Sequence, residues 1–374
     1  MNGTDEQIRL HLWLSYGTEH FTRCRSRVLA RYADLNEAFA LAARGGAAAF
    51  DFLPARAAAR LTEAATEGFL DGYRERLERT GIRVAFPFQP EYPALLKEIH
   101  DPPGALYYRG RLLGEPPLPI AVVGSRAATD YGKDVARLFS HAFSTAGATV
   151  ISGMASGVDA SAARGALDCV GADYPTVAVL GTGVDLVYPA ANRRLYEEIM
   201  ERGAVISEFL PGTEARREHF PIRNRIMSGM AKGVLVVEAG ERSGTAITAG
   251  YALEEGREVF AVPGRITDPQ SLGVNRMIRQ GEAKPVFCPE DVLCEFGVTG
   301  RGEPSALGRA PDLSDLSREE KTVAAALLSG EKSFDELCEC LPYPPGLLNS
   351  YLTALEFSGI MKQLPGRIYA LRRS

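Results

Sequence analysis

Metal-binding and disulfide patterns are missing from this sequence. The 374 residues include six cysteines and five histidines, and no two cysteines have the Cys-x-x-Cys spacing. Zinc sites need closely spaced thiolates and imidazoles, and small secreted domains need paired cysteines at framework intervals. The sequence therefore predicts no metal site and reduced thiols in a cytoplasmic protein. The cysteines are Cys24, Cys169, Cys288, Cys294, Cys338 and Cys340.

Long apolar runs and an excess of positive charge are absent as well. No basic run followed by an apolar segment indicates a signal peptide, and no stretch approaches the length that crosses a bilayer, so no membrane span is expected. The formal net charge is −5, so a polyanion site has to be a local patch on an acidic background. Hydrophobic content of 45% and charged content of 24% are typical of a soluble globular protein.

The chain is long enough for two or three domains, and its patterning changes along its length. Residues 1–80 show apolar side chains at helical spacing and predict a helical module. Residues 81–117 are punctuated by prolines and predict a connector. From 118 to 298, short β-branched runs that end in glycine alternate with helical patterns. This alternation predicts an α/β domain, with a doubly wound and mainly parallel sheet covered on both faces.

The C-terminal region has its own pattern. Residues 299–315 are rich in Gly, Pro and Ser and predict a linker. Within 316–374, three short helices are followed by a β-hairpin that turns at Pro365-Gly366, which is the pattern of a winged helix. The predicted helices cover 318–329, 333–340 and 345–358.

Three glycine-containing turns follow strands of the predicted sheet. Glycine lets the backbone approach an anion closely, and the first N–H groups of the following helix point towards it. Turns at the carboxyl ends of parallel strands converge on one crevice, so these turns predict a shared anion-binding rim. Plain tight turns, with Ser156 and Asp159 as helix caps, explain the same residues without a ligand. The turn residues are Gly124, Ser125 and Arg126; Gly153, Ser156, Gly157 and Asp159; and Gly181, Thr182 and Gly183, followed by Tyr188.

A fourth candidate turn is Ser243-Gly244-Thr245. Two hydroxyls flank a glycine at a predicted helix start, an arrangement that predicts a phosphate pocket. Helix capping alone explains this turn equally well.

The usual nucleotide-binding signatures are incomplete. Leu186 stands where a dinucleotide fingerprint beginning at Gly181-x-Gly183 needs a small residue. No Gly-x-x-x-x-Gly-Lys-Ser/Thr motif occurs, so the lysine and hydroxyl that hold Mg²⁺ and a γ-phosphate are missing. Ser/His/Asp and Cys/His sets are also missing from the strand ends. The sequence favours phosphate binding without turnover, and we predict no catalytic residue and no cofactor.

The densest group of cations lies next to an aromatic ring. Four arginines, Phe220 and Asn224 occur within ten residues, and Glu218 is the only acid among them. Guanidinium groups neutralise phosphate as planar forks, and a phenyl face can stack on a base, so the segment predicts nucleic-acid contact. The alternative is a ring packed in the core beside a solvated basic edge. The arginines are Arg216, Arg217, Arg223 and Arg225.

A second basic patch lies in the helical module, where no acid occurs between Glu19 and Asp34. It is compatible with an auxiliary nucleic-acid contact and equally with a solvated helix face. The patch consists of Arg23, Arg25, Arg27 and Arg31.

The predicted recognition helix of the winged-helix pattern, residues 345–358, contains no Lys or Arg. Helices that enter a duplex groove need cations, so we do not expect this module to read double-stranded DNA. Its leucines favour packing or a protein partner.

Taken in order, these motifs resemble those of the bacterial DNA-processing protein A (DprA/Smf) family. The resemblance runs nearly from end to end and is highly specific. It is carried by residues 124–126, 152–159, 180–189, 220–225, 243–249 and 258–264.

The resemblance implies a helical module of the sterile-alpha-motif type, an extended Rossmann domain and a C-terminal winged helix. It also implies a non-enzymatic homodimer that binds single-stranded DNA, protects it and loads the RecA recombinase during natural transformation. By position, the DNA-binding groove would be lined by Arg126 and by the turns at Gly153, Gly181 and Ser243–Thr245. Its wall and stacking surface would be Phe220, Arg223, Asn224 and Arg225.

Two departures from the family pattern occur. The family often has a histidine in the helix after Gly157-x-Asp159, where this chain has only Ser, Ala and Arg at 161–164. The family commonly has Ser-Gly-Ser-Leu, and the segment 243–246 keeps the hydroxyls but has alanine in place of leucine.

Two other functions remain open from the sequence. A nucleotide-processing hydrolase of the phosphoribohydrolase type is suggested by the segment 238–245, although Thr248 stands where the catalytic glutamate is expected. A transcription factor would follow if the winged helix did read duplex DNA.

Overall fold

The computed structural model describes residues 3–19, 21–241, 243–298, 316–328, 330–364 and 366–371. The chain forms two compact units, Met1–Gly300 and Arg301–Ser374. The predicted linker 299–315 and Pro365 of the predicted hairpin turn lie outside the described residues. No helix within the described ranges is both long and apolar enough to cross a membrane.

Five helices at the start of the first unit enclose an apolar core. Trp13 is fully buried in this core, and its indole Nε1 donates a hydrogen bond to the carbonyl of Leu61, 2.8 Å away. Because the fourth helix is rich in alanine, it packs closely against the first. The helices are α1 (Gly3–Thr18), α2 (Thr22–Arg31), α3 (Leu35–Ala43), α4 (Ala55–Ala64) and α5 (Phe69–Arg79).

A nine-stranded sheet forms the centre of the first unit. Its strands are β1 (Arg83–Ala85), β2 (Leu106–Gly110), β3 (Pro119–Val123), β4 (Thr149–Ser152), β5 (Thr176–Val179), β6 (Ala204–Ser207), β7 (Gly233–Val236), β8 (Glu258–Ala261) and β9 (Lys284–Pro285). They lie in the order β1-β2-β6-β5-β4-β3-β7-β8-β9, and every neighbouring pair from β6 to β9 is parallel. The predicted α/β class with a mainly parallel sheet is confirmed.

Helices cover both faces of this sheet. Along β3, Ile120 and Val122 pack into one apolar layer, and Ala121 and Val123 into the other, as the period of two in a strand requires. The first layer is covered by α7 (Asp130–Thr145), α8 (Val158–Asp168), α9 (Arg193–Arg202) and α13 (Pro289–Leu293). The second is covered by α6 (Ala94–Lys97), α10 (His219–Gly229), α11 (Thr245–Glu254) and α12 (Leu272–Arg279).

The structure corrects the predicted connector 81–117, which contributes two strands to the sheet. β2 pairs antiparallel with β6 on one side and with β1 on the other. Tyr107 of β2 is buried beside Tyr73 of α5, with their hydroxyl oxygens 3.3 Å apart. The helical module and the sheet therefore share a core. The strands are short and flanked by prolines, so no local pattern marked them.

The described residues of the second unit form three helices and a three-stranded antiparallel sheet around their own core. Ser317 and Ser333 form capping boxes that start the first two helices. The helices and the hairpin lie where predicted, while the first strand was not expected. The assignment as a winged helix stays a prediction, as does the sterile-alpha-motif type of the N-terminal helices. The elements are α14 (Arg318–Ala326), β10 (Lys332–Ser333), α15 (Phe334–Cys340), α16 (Pro345–Phe357), β11 (Met361–Leu364) and β12 (Ile368–Leu371).

Candidate nucleic-acid interface

Three of the four predicted glycine turns meet at the carboxyl edge of the parallel strands. They enclose a cavity of about 80 Å³, which we call the turn cavity. Pockets that hold whole drug-sized ligands measure roughly 300–1,000 Å³. The turn cavity is therefore suited to a group of phosphate size. It is lined by Arg126, Gly153, Ala155, Ser156, Leu180, Gly181, Thr182, Tyr188, Pro189 and Phe220.

Unused backbone donors occur in the lining of the turn cavity. Within the described part of the chain, the N–H groups of Ser156, Gly181 and Thr182 donate to no protein acceptor. Gly181 and Thr182 are buried, and buried N–H groups are nearly always hydrogen-bonded. An anion in the turn cavity would supply the missing acceptors. The Thr182 hydroxyl is not available for this purpose, because it donates to the Leu186 carbonyl at 3.0 Å.

Two buried charged side chains, those of Asp159 and Arg223, support the turn after β4. The Asp159 carboxylate accepts a hydrogen bond from the Gly153 N–H at 3.1 Å, and Arg223 Nη1 donates to the Val179 carbonyl at 2.7 Å. Burial raises the pKa of Asp159, and the charge of Arg223 opposes that shift. Burial lowers the pKa of Arg223 to about 10, so the guanidinium remains charged at neutral pH. A Cβ atom at residue 153 would collide with this guanidinium, which explains the glycine.

The turn after β4 is also joined to the turn after β3. Gly157 has a φ of +82°, and a Cβ at this position would collide with the carbonyls of Ser125 and Arg126. The Val158 N–H donates to the Ser125 carbonyl at 3.2 Å. Arg126 is thereby held at the mouth of the turn cavity, where its side chain is exposed.

A protein carboxylate occupies the N-terminus of α7, where the sequence predicted an anion site. The Glu238 carboxylate accepts hydrogen bonds from the N–H (2.9 Å) and the hydroxyl of Thr129, and Thr129 Oγ1 accepts from the Gly132 N–H. Glu238 is buried, and its backbone carbonyl accepts from the Ser125 N–H at 2.8 Å. The turn after β3 therefore offers a ligand the Arg126 side chain rather than a free helix end. The sequence signal for Glu238 was a charge directly after an apolar strand.

Two aromatic rings and Arg126 form the outer side of the turn cavity. The Arg126 Cζ atom lies 4.5 Å from the centroid of the Phe220 ring, which is a cation–π contact. The Tyr188 ring lies 5.7 Å from the Phe220 ring and is 46% exposed. Phe220 is itself half-buried. Planar groups and a cation thus face solvent beside the phosphate-sized space.

His219 fixes the start of α10 and therefore the position of Phe220. Its ring stacks on Phe209 with centroids 4.3 Å apart, and its Nδ1 is 3.1 Å from the Gly181 carbonyl oxygen. Phe220 is the next residue on the helix and points towards the turn cavity, because successive helical side chains are rotated by about 100°.

The predicted groove wall is corrected by the burial of two arginines. Arg225 is 8% exposed, forms an ion pair with the buried Glu208, and has its Nε 3.8 Å from an Asp101 carboxylate oxygen. Burial raises the pKa of Glu208 to about 7, against the opposing charge of Arg225. Arg223 is buried as well, under Gly153. The segment is helical, so Arg223 lies on the inner face with His219, four residues earlier.

The other residues of the basic segment lie outside. Arg216 and Arg217 are exposed, and Asn224 is half-buried. None of these three residues lines the turn cavity.

Comparison with known proteins gives the family. Residues 83–297 match the family model described as DNA recombination-mediator protein A, which is more than half of the chain. The chain belongs to this family. The resemblance in the sequence is thus confirmed.

Curated relatives match most of their length. Protein Smf of Synechocystis sp. is 34% identical over 80% of this chain and 83% of its own length. Protein Smf of Escherichia coli is 39% identical over 76% of this chain and 76% of its own length. DNA processing protein DprA of Streptococcus pneumoniae is 45% identical over 55% of this chain and 71% of its own.

Two solved structures have the same fold. The X-ray structure of DNA processing protein A from Streptococcus pneumoniae superposes with a TM-score of 0.62, at 33% identity, over 79% of this chain and 99% of that one. The structure of DNA processing protein A from Helicobacter pylori is described for its single-stranded DNA binding mode. It superposes with a TM-score of 0.51, at 24% identity, over 58% of this chain and 97% of that one. The second likeness shows the fold alone.

In this member of the DNA recombination-mediator protein A family, the fourth turn caps a helix. The Ser243 hydroxyl donates to Thr245 Oγ1 at 2.8 Å and accepts from the Thr245 N–H at 3.2 Å. Thr245 is buried, and neither it, Ser243 nor Gly244 lines the turn cavity. Five predicted residues of the first three turns do not line the turn cavity either: Gly124, Ser125, Gly157, Asp159 and Gly183. Among the described residues, no group of three His, Cys, Asp or Glu side chains could hold a metal ion.

Proposed function

We propose that this protein binds single-stranded DNA across the turn cavity without cleaving it. One observation carries the proposal: unused backbone N–H groups, an exposed arginine and two partly exposed aromatic rings surround a space of phosphate size. The donors suit a backbone phosphate, and the planar groups suit bases that are not stacked in a duplex. Membership of a family of DNA recombination mediators supports DNA as the ligand.

The proposal extends to the role of the bound strand. We infer that the protein acts in the cytoplasm as a homodimer, protects incoming single strands during natural transformation, and loads RecA recombinase onto them. The N-terminal helices would be of the sterile-alpha-motif type, and the C-terminal unit a winged helix that does not read duplex DNA. The absence of Lys and Arg from α16 supports the last point.

Binding is tested by fluorescence anisotropy with labelled oligonucleotides over a salt series. Three exposed arginines are candidates for phosphate contact: Arg126 lines the turn cavity, and Arg216 and Arg217 precede α10 in the chain. Each phosphate neutralised on a single strand contributes about −0.7 to the slope of log K against log salt, so we expect a slope near about −2. A matched hairpin duplex should bind more weakly at every salt concentration. Equal or tighter binding of the duplex would contradict the proposal.

Loading is tested with RecA on single strands already covered by a single-strand-binding protein. The wild type should shorten the lag before RecA-dependent ATP hydrolysis begins, and Arg126→Gln should do so less. If the wild type leaves the lag unchanged, RecA loading is wrong while DNA binding stands.

The non-enzymatic character is tested by incubation with nucleoside monophosphates. We expect no release of free base, because Thr248, at the position of the hydrolase glutamate, is a buried residue without an ionisable group. Release that rises with protein concentration and is lost on heating would favour the hydrolase alternative.

A further inference from the structure

We propose that the outer face of α2 is a second contact for the same single strand, an inference that rests on the proposed function. We call this surface the arginine ridge and define it as Arg23, Arg27 and Arg31. All three side chains are exposed. Within the described part of the chain, none of them forms a side-chain hydrogen bond or an ion pair. Arg27 makes a cation–π contact, with its Cζ atom 5.8 Å from the centroid of the Phe52 ring.

The spacing of the arginine ridge suits a linear polyanion. The three residues are four positions apart, so their Cα atoms follow one another at about 6 Å along the helix axis, over about 12 Å in all. Guanidinium groups bind phosphates in a planar, bidentate manner. One helix face can therefore contact successive phosphates of an extended strand.

Electrostatic repulsion within α2 points to an external anion. Like charges four residues apart on a helix destabilise it, and α2 contains no acidic residue that would offset them. The nearest preceding acid, Glu19, pairs with Arg56 and Arg60 on α4 instead. The charge of the arginine ridge is thus not compensated by that acid, and a polyanion would relieve the repulsion.

The fourth arginine of the patch, Arg25, packs α2 against a segment that also contacts α10. A Cβ at Gly104 would collide with the Arg25 side chain, so the helix packs directly on the segment before β2. Asp101 in that segment acts electrostatically on Arg25 and lies 3.8 Å from Arg225 of α10. The same α10 carries Phe220, about 7.5 Å away along its axis. The helix that carries the arginine ridge and the helix that carries Phe220 therefore both contact the segment before β2.

A single strand is a better ligand for the arginine ridge than a membrane. The inner face of α2 is already used, because Cys24 and Val28 are buried in the helical core. Among the described side chains of α2, Leu29 is the one large apolar side chain that is exposed, which is too little apolar surface to insert into lipid. Its exposed face offers cations, and the neighbouring site on α10 offers planar groups for unpaired bases.

The experiment compares strands of six and thirty thymidines on the full chain. The test variant is Arg23→Gln/Arg27→Gln/Arg31→Gln. The control is Arg74→Gln/Arg76→Gln/Arg79→Gln on α5, which removes the same net charge from the same module. Anisotropy titrations over a salt series give both affinity and slope, and thermal unfolding checks that each variant is folded.

We expect the affinity of the test variant for the six-residue strand to stay within about twofold of wild type, because so short a strand bound at the turn cavity does not extend to the arginine ridge. Its affinity for the thirty-residue strand should fall about tenfold, with a salt slope less negative by about 2, at about 0.7 for each phosphate contact. The control should bind both strands like wild type. The single variant Arg27→Gln should change the slope by about 0.7 and serves if the triple variant does not fold.

Three outcomes would contradict a DNA contact at the arginine ridge. The test variant could bind the long strand with unchanged affinity, it could lose equal affinity for both strand lengths, or the control could lose as much affinity as the test variant. A larger loss for a thirty-base-pair duplex than for the single strand would assign the ridge to duplex DNA instead. If the short strand fails to bind wild type while the long strand binds through the ridge, the turn cavity is wrong and the ridge stands.

Discussion

The Arg126 guanidinium lies over the Phe220 ring, with Cζ 4.5 Å from the ring centroid. One face of the ring is therefore already covered by a side chain of the protein. The planar guanidinium can itself stack on a base while it neutralises phosphate. The sequence predicted stacking on a bare phenyl ring, and the structure indicates a two-layer platform of Arg126 on Phe220.

Replacing Arg126 by lysine tests the platform against simple charge. Lysine keeps the positive charge but loses the planar group, so we expect single-strand affinity to fall severalfold, by about 0.5–1 kcal/mol. Arg126→Gln should lose more and should also make the salt slope less negative by about 0.7. Anisotropy titration measures both. Wild-type affinity in Arg126→Lys would show that only the charge matters.

Removing the ring under Arg126 should weaken binding without unfolding the protein. In Phe220→Leu the guanidinium loses its support, and we expect a loss of about 1–3 kcal/mol in single-strand affinity. Phe220→Trp restores an aromatic face and should recover most of it. Because Phe220 is only half-buried, the thermal midpoints of both variants should stay close to wild type. A similar affinity for the leucine and tryptophan variants would contradict the stacking role.

Arg225 should behave as a structural residue. Replacement by methionine leaves the buried Glu208 without its partner, and breaking such a pair is destabilising by about 3–5 kcal/mol. Urea unfolding measures this loss. The double variant Glu208→Met/Arg225→Met removes both charges and should regain much of the stability. The folded fraction of each variant should bind single-stranded DNA with the affinity of the wild type. A lower affinity of the folded protein would instead support the predicted contact of Arg225 with DNA.

Glu208 should make the stability of the first unit depend on pH. Burial raises its pKa from 4.5 to about 7. Its contribution to the free energy of unfolding is therefore fully present below about pH 4.5 and is lost as the pH rises through about 7. A shift of this size corresponds to about 3 kcal/mol at most.

Urea unfolding at pH 5 and pH 8 tests this dependence. The wild type should lose more stability between the two pH values than Glu208→Gln, which cannot titrate. Asp101 and Arg225 face this carboxylate in both proteins. The same pH dependence in both proteins would show that another group is responsible.

Much of the α/β unit followed from local patterns. The β-branched runs predicted within 118–298 became β3 to β8 of the sheet, and a helix lies between each of these strands and the next in the chain, as the alternation predicted. Such patterns suffice because a strand buried on both faces must be apolar along its whole length. The convergence of the turns after β3, β4 and β5 followed in turn from the geometry of a parallel sheet.

Side-chain direction and long-range pairing were decided only by the tertiary structure. The sequence places Arg223 and Arg225 beside Phe220, but the tertiary structure buries both arginines, although they lie about 200° apart around α10. Buried Asp159 and Glu208 from distant segments compensate their charge. The antiparallel strand β2 likewise exists because β6 provides its hydrogen-bond partner. Composition and periodicity are local properties, whereas burial and charge compensation depend on residues that are far apart in the chain.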